Sequence, residues 1–151
     1  MNADANSVQP APDGRPQLSI VVPCHNEEEN IGPLLERLLT VLQELDRSFE
    51  VVLVDDGSRD RTLDRLREAH RAEARVKYLA LSRNFGHEAA STAGLRHAEG
   101  DAVVLMDADL QDPPEVIPAL VERWQEGFDL VFATRPEREG ESWFKRKSSA
   151  L

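Results

Sequence analysis

The sequence predicts an α/β domain built on a mainly parallel sheet with helices on both faces. Three observations carry that prediction. Short apolar runs alternate with longer segments whose apolar residues recur at helical spacing. The connections between them are short, which suits strands joined through helices. Two of the apolar runs stop abruptly on paired carboxylates, where open α/β sheets hold their ligands. The chain has 151 residues, enough for one domain, with 40% hydrophobic and 30% charged residues, as in a soluble globular protein.

Taken in order, residues 1–16 (MNADANSVQPAPDGRP) are small, polar and proline-rich, and read as a disordered leader. The domain proper is expected from 17 to 151. Residues Gln17 to Val22 form the first strand, which should end at Pro23. Cys24 then opens a loop, with Asn30 as the N-cap of a helix and Pro33 in its first turn. Ile31, Leu34, Leu35, Leu38, Leu39, Leu42 and Leu45 lie on one helical face. The second strand, Phe49 to Val54, ends on Asp55-Asp56-Gly57-Ser58. Gly57 permits a tight turn, and Ser58 or Asp60 can cap the helix from about Asp60 to Ala72, which turns Leu63 and Leu66 inward.

The third strand is Val76 to Leu81. Arg83, just beyond it, has two equal readings: facing a phosphate or pairing with a carboxylate. The segment His87 to Ala98 is rich in Ala, Ser and Gly, so it should pack closely on the sheet and end at Gly100. His87 and His97 read as capping and surface residues. A strand over Ala102 to Met106, a helix from Pro114 to Gln125 closed by Gly127, and a fifth strand from Asp129 to Thr134 complete the pattern.

The stretch Asp101–Glu115 (DAVVLMDADLQDPPE) is the chemical centre. Its apolar run has the pattern of a strand buried on both faces, and it stops on Asp107 and Asp109. Residues two apart in an extended chain point the same way. Two such anions repel, and a divalent cation relieves the repulsion. One or two carboxylates plus diphosphate oxygens make the donor set of Mg²⁺ or Mn²⁺. The plainer alternative is that the two aspartates only line a loop and cap the next helix.

Composition removes several function classes. The net charge of −10 argues against a nucleic-acid partner. No apolar stretch approaches the length of a membrane span. The single cysteine excludes an intrachain disulfide framework. Neither the dinucleotide fingerprint nor the P-loop signature occurs, so a nucleotide would be held in another way.

Four motifs in order, PCHNEEENI, VDDGSRDRT, LSRNFGHEAASTAGL and MDADLQDPPE, resemble family 2 glycosyltransferases with the Rossmann-like GT-A fold. The branch they most resemble contains dolichol-phosphate mannosyltransferase and the bacterial polyprenyl-phosphate sugar transferases. The resemblance implies a cytoplasmic enzyme peripheral to the membrane, using Mg²⁺ or Mn²⁺ and a UDP- or GDP-linked sugar. It places Pro23, Asn26 and Glu27 in the nucleotide-binding loop, Asp55 against the base with Asp56 nearby, and Asn84 and Gly86 beside the nucleotide. It makes Asp107 and Asp109 the catalytic and metal-holding pair, with Gln111 as a further ligand. Transfer to a polyprenyl phosphate in building cell-envelope glycans is the expectation, with inversion at the anomeric carbon.

The segment from Arg135 to Lys147 has five basic residues against three glutamates and would meet the acceptor's phosphate through Arg135, Arg138 and Arg146. Related enzymes continue past this point, so the acceptor side is expected to be incomplete. A saccharide acceptor and an inactive nucleotide-sugar-binding fragment are the alternatives.

Overall fold

The computed structural model describes residues 14–133. Four strands, β1 (Leu18–Cys24), β2 (Phe49–Asp55), β3 (Val76–Ala80) and β4 (Ala102–Leu105), form a parallel sheet in the order β3-β2-β1-β4. Helices α1 (Ile31–Glu44), α2 (Thr62–Ala72) and α3 (His87–His97) fill the connections. A 3₁₀ turn, Pro114–Val116, leads into α4 (Ile117–Gln125). The chain steps outward from β1 through β2 to β3, then crosses to the other side of β1 for β4. That reversal opens a crevice at the carboxyl ends of β1 and β4.

β1 and β2 are buried throughout, as their unbroken apolar runs require. On one face Leu18, Ile20 and Val22 pack with the α1 residues Ile31, Leu34, Leu38 and Leu42, with Leu66 of α2, and with Ile117 and Val121 of α4. On the other face Val21, Val52 and Val54 pack with Ala90 of α3. The sheet is thus covered on both faces. α3 lies very close to it, because a Cβ at Gly94 would stand 2.4 Å from Val21 Cγ1.

At the amino end of the sheet a buried carboxylate ties several elements together. Glu50 Oε1 accepts from Ser19 Oγ (2.6 Å) and from the Glu99 N–H (2.7 Å). Lys77 Nζ pairs with Glu50 Oε2 at 2.6 Å. Burial pushes the Glu50 pKa upward, but Lys77, Ser19 and the Glu99 N–H together outweigh it and hold the group below the ordinary range.

Several expectations are corrected. β1 runs through Pro23 to Cys24, because the β1–β4 ladder stops at Val21. The N–H that Pro23 lacks would face that vacated side. Cys24 is therefore a buried strand residue, not part of a loop. Asn30 sits at the α1 N-cap position, but its amide donates to Glu27 Oε2 instead of accepting from the helix. α3 ends at His97, and Gly100 lets the chain pass against Ser19, whose backbone N would lie 2.6 Å from a Cβ there.

The expected fifth strand is absent over the described residues 129–133. β4 is then an edge strand among the described residues rather than one buried on both faces, with Val103 40% and Leu105 46% exposed. Of the leader, residues 1–13 lie outside the described residues.

Candidate functional site

The crevice at the carboxyl end of the sheet is lined by Pro23, Cys24, His25, Glu27, Asp56, His87, Asp107, Ala108 and Asp109. Each group arrives from a different connection. Pro23 and Cys24 end β1, with His25 and Glu27 just beyond it; Asp56 follows β2, His87 begins α3, and Asp107 and Asp109 follow β4. Ala108 is buried while Asp107 and Asp109 are exposed, so both carboxylates face solvent, Asp107 just beyond β4 and Asp109 in the turn that follows.

Beyond Asp109 the chain turns through Leu110 at φ 62°, and Asp109 Oδ1 accepts the Gln111 N–H at 3.0 Å. A leucine in the left-handed region is strained, and such strain concentrates at functional sites. The next turn is anchored to α1 by a two-pronged pair, Arg37 Nη2 to Glu115 Oε2 at 2.7 Å and Arg37 Nε to Glu115 Oε1 at 3.1 Å.

The lining brings together Pro23, Glu27, Asp56, Asp107 and Asp109 from the sequence-predicted set. It does not include Asn26, Asp55, Asn84, Gly86 or Gln111. Asn26 is used in binding two loops together: its Oδ1 accepts the Arg59 N–H at 2.9 Å, and its own N–H goes to Ser58 Oγ at 2.9 Å. Asp55 is buried, with Oδ1 3.3 Å from the Ser58 N–H. Asp60 caps the start of α2 by accepting from the Thr62 N–H at 2.9 Å. Among the described residues Arg83 makes no carboxylate pair; its guanidinium lies 4.1 Å from the centre of the Phe85 ring. Arg135, Arg138 and Arg146 lie outside the described residues.

Two histidines stand at the site: the sequence reading passed over His25 and took His87 for a capping or surface residue. His87 places Nε2 3.5 Å from Asp107 Oδ1. His25 has Nδ1 2.8 Å from the Asp56 carbonyl. A carbonyl only accepts, so Nδ1 carries the proton and Nε2 faces the Asn84 amide at 3.1 Å. The signal for His25 was its place immediately beyond a strand end; for His87 it was the glycine before it. Burial, with Glu27 and Asp55 nearby, pushes the Cys24 thiol far above the ordinary range, which removes it as a nucleophile.

Among the described residues four carboxylates line this crevice and no lysine or arginine does. Among the described residues no three His, Cys, Asp or Glu side chains converge as a complete metal cage. Two neighbouring carboxylates open to solvent nevertheless suit a Mg²⁺ or Mn²⁺ whose remaining oxygens come from phosphates and water. The donor chemistry fits such an ion.

The family model described as glycosyl transferase family 2 matches residues 19–151. The chain is 50% identical over 135 residues to the glycosyltransferase sll0501 of Synechocystis sp., covering 89% of this chain and 42% of that protein. It is 44% identical to the undecaprenyl-phosphate 4-deoxy-4-formamido-L-arabinose transferase of Edwardsiella ictaluri, covering 89% and 41% respectively. Among solved structures, the mannosyltransferase PcManGT of Pyrobaculum calidifontis, in complex with GDP-Man and Mn²⁺, superposes with a TM-score of 0.60. It is 27% identical over 80% of this chain and 35% of that one. The chain thus spans about two fifths of the length of the curated relatives it matches. A parallel sheet whose carboxyl edge gathers these motifs, matched over nearly the whole chain by one family model, establishes that the chain belongs to glycosyl transferase family 2.

Proposed function

We propose that this chain is the donor-binding part of a metal-dependent, inverting transferase that moves a sugar from a nucleoside diphosphate to a polyprenyl phosphate. The observation that carries the proposal is the solvent-facing pair Asp107 and Asp109 in a crevice whose described lining holds no lysine or arginine. A diphosphate cannot enter four carboxylates without a cation to offset the charge. A bound Mg²⁺ or Mn²⁺ would supply that offset and stabilise the departing nucleoside diphosphate.

Asp107 and Asp109, with Gln111 beside them, would hold the ion. Pro23, Asn26, Glu27, Asp55, Asp56, Asn84 and Gly86 would form the nucleotide's surroundings. The acceptor oxygen would attack the anomeric carbon, and the bonding electron pair would leave with the diphosphate. A phosphate acceptor is already an anion near neutral pH and needs no base to remove a proton. The Edwardsiella relative's name specifies undecaprenyl phosphate, and the Pyrobaculum structure holds GDP-Man with Mn²⁺. Both support this direction.

Arg135, Arg138 and Arg146 would meet the acceptor phosphate, placing the enzyme at the cytoplasmic face of a membrane. No helix among the described residues is long and apolar enough to cross one.

Calorimetry of UDP and GDP with Mn²⁺, with Mg²⁺ and with EDTA tests the donor half. One diphosphate should bind in the presence of metal and lose affinity at least tenfold on chelation. Asp109→Ala should abolish the metal-dependent part. Binding that ignores EDTA would take the metal out of the proposal.

A further inference from the structure

Asp56 occupies an unusual position for a group lining a ligand crevice. It is 3% exposed, and both its carboxylate oxygens are engaged by main chain. Oδ1 accepts the Phe85 N–H at 2.7 Å and Oδ2 accepts the Gly86 N–H at 2.9 Å. Its own N–H donates to the Cys24 carbonyl at 2.8 Å, and its carbonyl accepts from His25 Nδ1 at 2.8 Å. One residue thereby joins the loops that follow β1, β2 and β3.

Gly57 completes the attachment. A Cβ there would lie 2.3 Å from the Arg83 carbonyl carbon and 2.4 Å from the Asn84 nitrogen, so the third loop rests directly on the main chain of the second. Gly86, at φ 100°, then turns the chain into α3. The next residue is His87, whose imidazole reaches Asp107. Only one peptide unit separates the Asp56 anchor from that histidine.

We infer that Asp56 is a positioning residue: its carboxylate fixes the loop before α3 so that His87 stands beside Asp107 and donates to an oxygen of the bound diphosphate. The inference rests on the donor-site proposal above. It assigns Asp56 an indirect role and His87 a direct one. The His87 side chain is 60% exposed, so it is accessible to a ligand in the crevice. Among the described residues no lysine or arginine lines the crevice, and His87 and His25 are the only lining side chains there able to meet an anion with a ring N–H. His25 already spends its Nδ1 proton on Asp56.

The test is calorimetry on the 151-residue chain with Mn²⁺, using UDP and GDP beside UMP and GMP, for the parent, Asp56→Asn, His87→Gln and the double variant. Asn at 56 keeps one acceptor oxygen and turns an NH₂ toward the other N–H. Losing a charge-assisted bond of that kind corresponds to about a tenfold effect. Each single variant should therefore lose about tenfold in affinity for the diphosphate, with the monophosphate within about twofold of the parent. The double variant should lose no more than either single one, because both act through His87.

Hydrogen exchange should also quicken at the Phe85 and Gly86 amides in Asp56→Asn. Equal losses for mono- and diphosphate in Asp56→Asn would mean that Asp56 touches the nucleoside itself, overturning the inference. Additive losses in the double variant would overturn it too. Should Asp56→Asn fail to fold, unchanged diphosphate affinity in His87→Gln would suffice to overturn it. If the parent bound neither diphosphate, the donor-site proposal would fall first and this one with it.

Discussion

Gly94→Ala tests how closely α3 is seated on the sheet. The added methyl would sit 2.4 Å from Val21 Cγ1 and 3.0 Å from Val54 Cγ2. Ordinary carbon contacts are about 3.5–4.0 Å, so the closer one is roughly 1 Å too short. Val21 and Val54 are fully buried, and β-branched side chains have little freedom at χ1 to move aside. The helix must lift or the strand must yield. Overpacking of this kind costs about 1–3 kcal/mol. Replacing glycine by alanine in a helix returns up to about 1 kcal/mol. A contact this short puts the cost in the upper part of that range, so the expected net loss is about 1–2 kcal/mol, read as a lower urea midpoint with an unchanged slope.

Val21→Ala removes the struck methyls, so combining it with Gly94→Ala should cost clearly less than the two single losses added together. A Gly94→Ala variant as stable as the parent would refute the close seating of α3. An additive double variant would place the strain somewhere other than Val21.

Two further outcomes follow from the core and the buried ion pair. Leu38→Ala should cost about 3 kcal/mol in urea unfolding, since Leu38 is fully buried between α1 and the sheet; a loss below about 1 kcal/mol would mean α1 is not packed as described. Glu50 is held below its ordinary range in the folded state, so its stabilisation is complete above that range and fades as the pH falls through it. Glu50→Gln should therefore be less stable than the parent by about 1–3 kcal/mol at neutral pH, with the gap closing in acid; a gap that is constant with pH would refute the assignment.

Much of the fold was legible because its signals are local. The leucine spacing of α1 and the unbroken apolar runs of β1 and β2 each record, within a dozen residues, which face is buried. The run Leu130-Val131-Phe132 has the same local appearance and yet is no strand in the described residues. A strand exists only when another edge accepts its hydrogen bonds, and that condition is set elsewhere in the chain. β4 shows the same dependence from the other side, since Val103 and Leu105 are exposed where the sequence pattern implied two covered faces.

The site divides along the same line. Asp107 and Asp109 were identifiable because they follow closely on an apolar run and flank a buried alanine, which is information contained in a few consecutive residues. His87 was not, because its approach to Asp107 is set by how α3 seats across the sheet, which the residues around His87 do not record. Asp55 and Asp56 are the sharpest case. The alternation that ranks neighbours along a strand ends with Asp55, and Gly57 at φ 62° turns the chain immediately afterward. Which carboxylate enters the crevice is then decided by the loop that Gly57 admits from the far side, residues 83–86, whose N–H groups capture Asp56. A pair of aspartates in sequence therefore announces a strand end facing a ligand, while the division of labour between them is written in a loop 29 and 30 residues away.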